Sequence, residues 1–455
     1  MVKVRFAPSP TGHLHIGNAK VALLNYLFAR RNQGKFVLRI EDTDLERSDT
    51  SYEASILDDL GWLGIAYDEG PLRQTERFDI YRSYARQLLD KGAAYKCFCS
   101  EETLERMREA SLKNGQPPRY DGTCSKLSDG EIFDLESSGK PYVIRFRSQR
   151  RIIRFVDEGY RGEVAFPLEH VDDFILMKQG ETPSYNFAVT IDDMLMNITH
   201  VIRGADHLSN TPKQIMLFQA LGATPPHYAH LSLLVGEDRK PLSKRYGATR
   251  VRDFREMGIL AEALRNYLGT VGRSVTKEIM DMNELAESFS LASLSRTDSF
   301  FDMEKLYWFN KEYMKKIPLE TLLKELDLPV EYRERIAILR ENAATLNEMR
   351  DYLDIFEKPH MNEEAQAYLA ELKLPDGFVT KLSGFFTGPL ALSLENVVSA
   401  LTEESQLKKK DLYMVLRTVL TGRKSGPPLK EIFELIPRDL ITERINRYLS
   451  TGGRR

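Results

Sequence analysis

The first 42 residues constrain the fold more than any other part of this 455-residue chain. Val2, Val4 and Phe6 alternate with polar residues, which predicts a short strand, and a turn rich in Pro and Gly follows. Apolar residues at helical spacing then predict a helix over about residues 17–32, and residues 35–42 predict a second strand. This strand–helix–strand order is a βαβ unit, and it indicates a parallel sheet.

The carboxyl ends of the two predicted strands form the edge at which a parallel sheet binds its ligands. The polar side chains that the sequence places at this edge are Arg5, Ser9, Thr11, His15 and Glu41. His15, Gly17 and Asn18 also fall at the start of the predicted helix, where free amides and the helix dipole favour a phosphate. We therefore expect a ligand site that includes an anion at this edge.

A nucleotide-binding P-loop is one alternative for this turn, because Gly12 and Gly17 have the spacing of that motif. Asn18 and Ala19 stand where the P-loop needs Lys and Ser or Thr to bind phosphate and Mg²⁺, so this alternative fails. No GxGxxG dinucleotide fingerprint follows the first strand either.

Two short segments carry a resemblance to a known family. The first, residues 8–18, resembles the HIGH motif of class I aminoacyl-tRNA synthetases in its glutamyl form, with Asn18 in place of the last His. The second, residues 242–245, resembles the KMSKS signature of the same class. Pro241 replaces the first Lys of that signature, and Lys244 retains the second. The resemblance covers nearly the whole chain and points to the bacterial-type glutamyl-tRNA synthetases.

The resemblance implies a reaction in two steps. ATP and glutamate give glutamyl-adenylate and pyrophosphate, and the glutamyl group then passes to the 3′-terminal adenosine of a tRNA. Among the residues that match the family motifs, His15 and Lys244 would act in catalysis together with Mg²⁺. Those that would bind ATP are Thr11, Gly17, Asn18, Asp206, Ser243 and Lys244. The tRNA would be tRNA-Glu, and tRNA-Gln is left open as a second substrate.

The charges of glutamate indicate which side chains could read it. A carboxylate is best bound by Arg, whose guanidinium donates two parallel hydrogen bonds. Arg5 and Arg203 both end predicted strands, and Glu41 is the natural partner of the substrate ammonium. The resemblance implies a glutamate site made of Arg5, Ala7, Ser9, Glu41, Tyr185 and Arg203. The alternative is that Arg5 and Glu41 form only an ion pair between neighbouring strands.

All three cysteines of the chain fall in one short window, at Cys97, Cys99 and Cys124. A lone Cys is most often a small buried hydrophobe, but this clustering favours Zn²⁺, which is bound by four ligands in structural sites. One ligand is therefore missing from the set. The resemblance to zinc-binding relatives makes Tyr120 the candidate, and the alternative is that Tyr120 is only a packed aromatic side chain.

The predicted fold class is α/β, a class I Rossmann-type catalytic domain with an inserted α+β domain, followed by an all-helical C-terminal anticodon-binding region. Further strands are predicted over residues 189–193, 198–207 and 231–235. Pro212 predicts the first turn of a helix. The expected domains are residues 1–90 with 186–250 for catalysis, 91–185 for an acceptor-stem-binding insertion, 251–319 for a helical connective domain and 320–455 for the anticodon-binding region.

Composition limits the class of protein, the kind of nucleic-acid contact and the cellular compartment that we expect. No run of 18 apolar residues exists, so we expect no membrane span. The formal net charge of −3 excludes a generally basic nucleic-acid binder, so any RNA contact must come from local patches. Three cysteines in 455 residues exclude a disulfide framework, and we expect a cytoplasmic monomer.

Three other functions compete with this interpretation. A glutaminyl-tRNA synthetase continues into β-barrels, whereas the C-terminal pattern here is helical. The short tRNA-modifying paralogue lacks an anticodon domain, whereas about 200 residues follow the KMSKS-like loop here. A non-catalytic synthetase-like RNA-binding protein would keep the fold and lose the chemistry. Retention of His15, Glu41, Arg203 and Lys244 argues against it, and Pro241 argues for it.

Overall fold

The computed structural model describes residues 1–115, 120–148, 152–167, 172–236, 238–240, 242, 248–358, 360–387, 393–405 and 407–449. Its strands are β1 Lys3–Phe6, β2 Lys35–Ile40, β3 Glu69–Arg73, β4 Ala94–Cys97, β5 Val143–Phe146, β6 Ile153–Asp157, β7 Gly162–Phe166, β8 Ile175–Met177, β9 His200–Gly204, β10 His227–Leu231, β11 Leu234–Val235 and β12 Ser299–Phe300. Its α-helices are α1 Ile16–Arg31, α2 Thr50–Trp62, α3 Phe78–Asp90, α4 Glu101–Lys113, α5 Asp129–Ser137, α6 Tyr185–Leu195, α7 Thr211–Leu221, α8 Val251–Glu256, α9 Ala261–Thr270, α10 Met282–Glu287, α11 Met303–Lys316, α12 Leu319–Leu326, α13 Arg333–Leu339, α14 Leu346–Leu353, α15 Glu363–Glu371, α16 Phe378–Thr387, α17 Leu394–Ser405, α18 Lys409–Thr421, α19 Leu429–Leu435 and α20 Arg438–Leu449.

The chain divides into two compact units. The first consists of residues 1–253 and 265–301, and the second of residues 254–264 and 302–455. In the second unit, every regular element among the described residues is helical. Asn310 ties that unit together, because its side chain accepts from the amide of Leu260 and donates to the carbonyl of Ala344.

Two parallel half-sheets meet in the first unit. One has the order β3-β2-β1, and the other has the order β9-β10-β6 with β7 antiparallel at its edge. The starts of β1 and β9 adjoin, since the amide of Thr199 donates to the carbonyl of Lys3 at 2.9 Å. The strand order β3-β2-β1-β9-β10 therefore reverses between β1 and β9, and a doubly wound sheet binds ligands at such a reversal.

Helix α1 follows the predicted βαβ pattern and packs against β1 and β9. Gln33 adopts a left-handed φ of 50° after the last turn, and Gly34 then lets the chain pass close to β1. A Cβ on Gly34 would lie 2.3 Å from the carbonyl oxygen of Val2, so only glycine fits this position. The predicted first strand, helix and second strand are confirmed.

The strand predicted over residues 189–193 is wrong, because these residues lie in α6. All residues from Phe187 to Asp193 are buried, including the polar Thr190, Asp192 and Asp193, so this part of α6 is buried on every side. A helix buried on all sides has no 3.6-residue pattern, and its β-branched residues resemble a buried strand. The strand predicted over residues 231–235 is also misplaced, since β10 ends at Leu231 and β11 begins at Leu234.

The chain between β3 and α6 contributes to two sheets. Strands β4, β5 and β8 form an antiparallel sheet of their own. Strand β6, in contrast, pairs with β10 of the parallel sheet, with Asp157 opposite Tyr228. The domain boundaries given above stay a prediction. No helix in the described ranges is both long enough and apolar enough to cross a membrane.

Candidate active site

A cavity of about 390 Å³ opens at the carboxyl ends of β1, β2 and β9. The predicted site residues that line it are Arg5, Ala7, Ser9, Thr11, His15, Gly17, Asn18, Glu41, Tyr185, Arg203 and Asp206. Leu242 also lines this cavity. Ser243 and Lys244, like Pro241, lie outside the described residues. The structure thus brings together every described residue that the sequence predicted for glutamate and ATP.

The start of α1 forms one wall of the cavity. His15 occupies the N-cap position, and its Nδ1 accepts from the amide of Gly17 at 3.2 Å. Burial lowers the pKa of His15 although a hydrogen bond to the backbone of Leu242 opposes the shift, so the ring is neutral with its proton on Nε2. No acidic residue lies in the first turn of α1, so this helix start suits an anion.

Residues 249 and 250, which follow the KMSKS-like loop, contact the start of α1. The amide of Ile16 donates to the carbonyl of Thr249 at 2.9 Å, and His15 forms an antiparallel bridge with Arg250. The described residues on both sides of positions 243–247 therefore lie against α1.

Four buried charges of alternating sign form a chain whose two ends, Arg5 and Glu41, line the cavity. Arg5 donates through Nε to Asp193 at 3.2 Å, and Arg39 donates through Nη1 to the same Oδ1 at 2.7 Å. Arg39 also donates through Nη2 to Glu41 at 3.0 Å. The alternative that Arg5 and Glu41 form an ion pair with each other is therefore wrong, because Arg5 pairs with Asp193 and Glu41 pairs with Arg39. Each of these two residues has its own buried partner instead.

Burial opposes ionisation of both carboxylates in this chain of charges, with opposite outcomes. For Asp193, Arg5 and Arg39 together outweigh burial and lower the pKa. For Glu41, burial outweighs both arginines and raises the pKa. Glu41 thus lacks part of the positive charge that its carboxylate needs, and an ammonium group in the cavity would supply it.

Arg203 is a buried cation whose contacts are all neutral. It donates through Nε to His230 at 3.2 Å and through Nη2 to Thr211 at 2.7 Å. Its Nη1 is buried without a hydrogen-bond partner, and no carboxylate of the described residues pairs with the guanidinium. Burial lowers the pKa of Arg203 for this reason. An anion in the cavity would satisfy both the charge and the free donor.

Tyr185 completes the side of the cavity next to Arg203. Its hydroxyl lies 3.2 Å from Nδ1 of His207, and burial raises its pKa to about 12, so the hydroxyl stays neutral. Asp206 is mostly exposed beside His207. Asn186, which follows Tyr185 in α6, donates to the side chain of Asn210 and accepts from Gln214.

The cysteine cluster lies at the end of β4, where Cys97 and Cys99 meet Cys124 from a short 3-10 turn, and none of the three lines this cavity. The three Sγ atoms lie within 4.8 Å of one another, and those of Cys99 and Cys124 are 3.5 Å apart. The hydroxyl of Tyr120 lies 3.4 Å from Cys97 and 3.7 Å from Cys99. Three sulfurs, a ligand type of structural Zn²⁺ sites, thus lie together with a phenol oxygen that also accepts from the amide of Cys124 at 2.9 Å.

Comparison with known families decides the classification. The family described as tRNA synthetases class I (E and Q), catalytic domain, matches residues 1–308, and an anticodon binding domain matches residues 281–449. The chain belongs to the class I tRNA synthetases of the E and Q group.

Relatives of this synthetase are similar along its whole length. A protein of Hydrogenobaculum sp. named Glutamate--tRNA ligase is 41% identical over 469 residues, which cover 98% of this chain and 100% of the relative. The protein of the same name from Geobacillus thermodenitrificans is 41% identical over 485 residues, 98% of each chain. The crystal structure of a glutamate tRNA ligase from Elizabethkingia meningosepticum in complex with its amino acid superposes with a TM-score of 0.86 at 31% identity, covering 99% of each chain.

Several polar groups of the synthetase site were missed by sequence reasoning. Asp193 accepts from the predicted site residue Arg5, and Arg39 donates to the predicted site residue Glu41. Lys20 lines the cavity, with 3% of its surface exposed. Burial lowers the pKa of Lys20 to about 8. The Asp192-Asp193 pair was visible in the sequence, but nothing there links it to Arg5, 188 positions away.

Proposed function

We propose that this chain attaches L-glutamate to tRNA, by ATP-dependent formation of glutamyl-adenylate and transfer to the 3′-terminal adenosine. The observation that carries the proposal is the charge pattern of the cavity. No carboxylate of the described residues balances Arg203, and the ion pair of Glu41 with Arg39 leaves the pKa of Glu41 raised. The side-chain carboxylate of glutamate would pair with Arg203, and its ammonium group would pair with Glu41. The relatives named Glutamate--tRNA ligase support this assignment.

In the first step, an oxygen of the substrate α-carboxylate attacks the α-phosphorus of ATP, and pyrophosphate leaves. The amides at the start of α1 and the Nε2 proton of His15 would face the negative charge that develops on phosphate oxygens. Mg²⁺ accompanies the triphosphate as part of the substrate. Lys244, by its place in the KMSKS-like segment, would neutralise charge during displacement.

In the second step, the 2′-hydroxyl of the terminal adenosine attacks the glutamyl carbonyl, and AMP leaves. Residues 91–185 would hold the acceptor end of the tRNA, residues 251–319 would contact its stem, and residues 320–455 would read the anticodon. The match of residues 281–449 to an anticodon binding domain supports the last of these roles. Whether tRNA-Gln is charged beside tRNA-Glu is a property of that helical region.

We further propose a structural Zn²⁺ held by Cys97, Cys99, Tyr120 and Cys124. The convergence of their donor atoms supports the site. Its place is structural, because none of the four lines the cavity.

ATP–pyrophosphate exchange tests the proposal against its runner-up, a non-catalytic RNA-binding protein. We expect exchange with glutamate when tRNA-Glu is present and none without tRNA. Glutamine in place of glutamate is the control. Exchange that prefers glutamine, or no exchange with any tRNA, would reject the proposal, and the second result would favour the runner-up.

A further inference from the structure

Two residues that do not line the cavity connect the two ends of the glutamate site. Asp193 Oδ1 accepts from Arg5 and from Arg39, and Arg39 donates its other terminal nitrogen to Glu41. Arg5 and Glu41 line the cavity, whereas Asp193 and Arg39 lie behind them. One buried chain of three charge-assisted hydrogen bonds therefore connects Arg5, which would bind a substrate carboxylate, to Glu41, which would bind the substrate ammonium group.

We propose that Arg39 and Asp193 are positioning residues that fix the separation of Arg5 and Glu41, and so match the site to the length of an α-amino dicarboxylic acid. The inference rests on the proposed function. Arg39 has a geometry suited to this task, since its planar guanidinium donates to Asp193 and Glu41 in fixed directions. A Lys at this position would keep the charge without the two fixed directions.

The burial of this chain argues against a purely stabilising role. Arg39 is 0% exposed, and its Nε makes no hydrogen bond in the described structure, since Asp192 Oδ2 lies 3.8 Å away. Buried ion pairs are often no more stable than apolar residues of the same volume, because taking charges out of water is costly. A chain of hydrogen-bonded charges that ends on two cavity residues can instead hold the side chains of those residues in fixed orientations.

Asp192 provides a matched comparison for Asp193 on the same helix. It is fully buried and accepts hydrogen bonds at 2.8 Å from Gln74, Arg77 and Tyr81. None of these three donors lines the cavity. The two adjacent carboxylates thus have similar burial, but they contact Arg39 differently. Asp193 accepts a hydrogen bond from Arg39 at 2.7 Å, whereas Asp192 lies 3.8 Å from Arg39 Nε, which is too long for a hydrogen bond.

The test compares Asp193→Asn with Asp192→Asn in tRNA-dependent exchange. Both variants should unfold at lower temperature than the parent. Asp193→Asn should raise the KM for glutamate about 10- to 100-fold with a smaller change in kcat, since displacement of site groups by about 1 Å has effects of this size. Its KM for ATP should stay within about twofold. Asp192→Asn should also keep the KM for glutamate within about twofold, because the 3.8 Å approach of Asp192 to Arg39 Nε is too long for a hydrogen bond.

Arg39→Lys keeps the inference testable where Asp193→Asn fails to fold, and it should also raise the KM for glutamate. Equal KM values for glutamate in the two Asn variants, or a parental KM in Arg39→Lys, would overturn the inference while the proposed function stands. A parent protein without glutamate-dependent exchange would overturn the proposed function and this inference with it.

Discussion

Replacing Arg203 should separate glutamate use from stability. Arg203 is 5% exposed, carries a free buried donor and has only neutral partners. In Arg203→Met the substrate carboxylate loses its buried counter-charge, which costs about 2–5 kcal/mol. At about 1.4 kcal/mol per factor of ten, kcat/KM for glutamate should fall about 30- to 4000-fold. Discrimination against glutamine should fall as well, because the uncompensated positive charge is gone.

The stability of Arg203→Met should not fall in step with activity. Thr211 and His230 keep a contact of 3.2 Å with each other after the guanidinium is removed. An uncompensated buried charge is also lost, so the free energy of unfolding should stay equal or rise. Arg5→Met is the matched control, and it should destabilise by about 2 kcal/mol because Asp193 loses a charge-assisted hydrogen bond.

The assays are kcat/KM for glutamate and for glutamine, and denaturant unfolding of both variants. The reasoning is refuted by an Arg203→Met protein that is less stable than Arg5→Met. It is equally refuted by one that uses glutamate as well as the parent does.

Three further predictions concern the remaining charged and thiol groups. Lys20→Met should be more stable than the parent by about 3 kcal/mol at pH 7 and by about half that at pH 9.5. The reason is that burial lowers the pKa of Lys20 to about 8, so the parent protein gains stability as the pH rises from 8 to 10.5. A gain that is the same at both pH values would contradict this. Metal analysis should find one Zn²⁺ per chain, and Cys97→Ser with Cys99→Ser should remove it; unchanged zinc would exclude the site. Lys244→Ala should slow adenylate formation about 10²–10³-fold. Lys240→Ala should slow it less, because Lys240 stands one position before the place of the first Lys of the KMSKS signature; equal effects would show that the KMSKS alignment is wrong.

The start of the fold was predictable from sequence because its signals are local. The alternation in β1, the helical spacing in α1 and the apolar run in β2 each lie within a few residues. The chemistry of the cavity edge followed from the same segment, since Arg5 lies near the end of β1, His15 caps the start of α1 and Glu41 follows β2. The prediction for α6 was wrong because residues 187–193 are buried on all sides and so show no helical period of apolar and polar residues.

The support of the site was not predictable for a different reason. Arg5 and Asp193 meet only because β1 and α6 come together in the folded chain, and no pattern within either element records this contact. Arg203 was expected to bind a carboxylate, but its lack of a counter-ion is a property of its surroundings. Lys20 stands on a helix face among apolar residues, where a lysine is ordinarily taken to reach solvent.

Aminoacylation with radiolabelled glutamate tests the central claim most directly. The purified protein should attach label to tRNA-Glu in the presence of ATP and Mg²⁺, and tRNA-Gln assayed beside it defines the specificity. Labelled glutamine should not be attached, because its side chain is a neutral amide and brings no negative charge to Arg203. The account is contradicted if neither tRNA acquires labelled glutamate, or if glutamine is attached in preference to it.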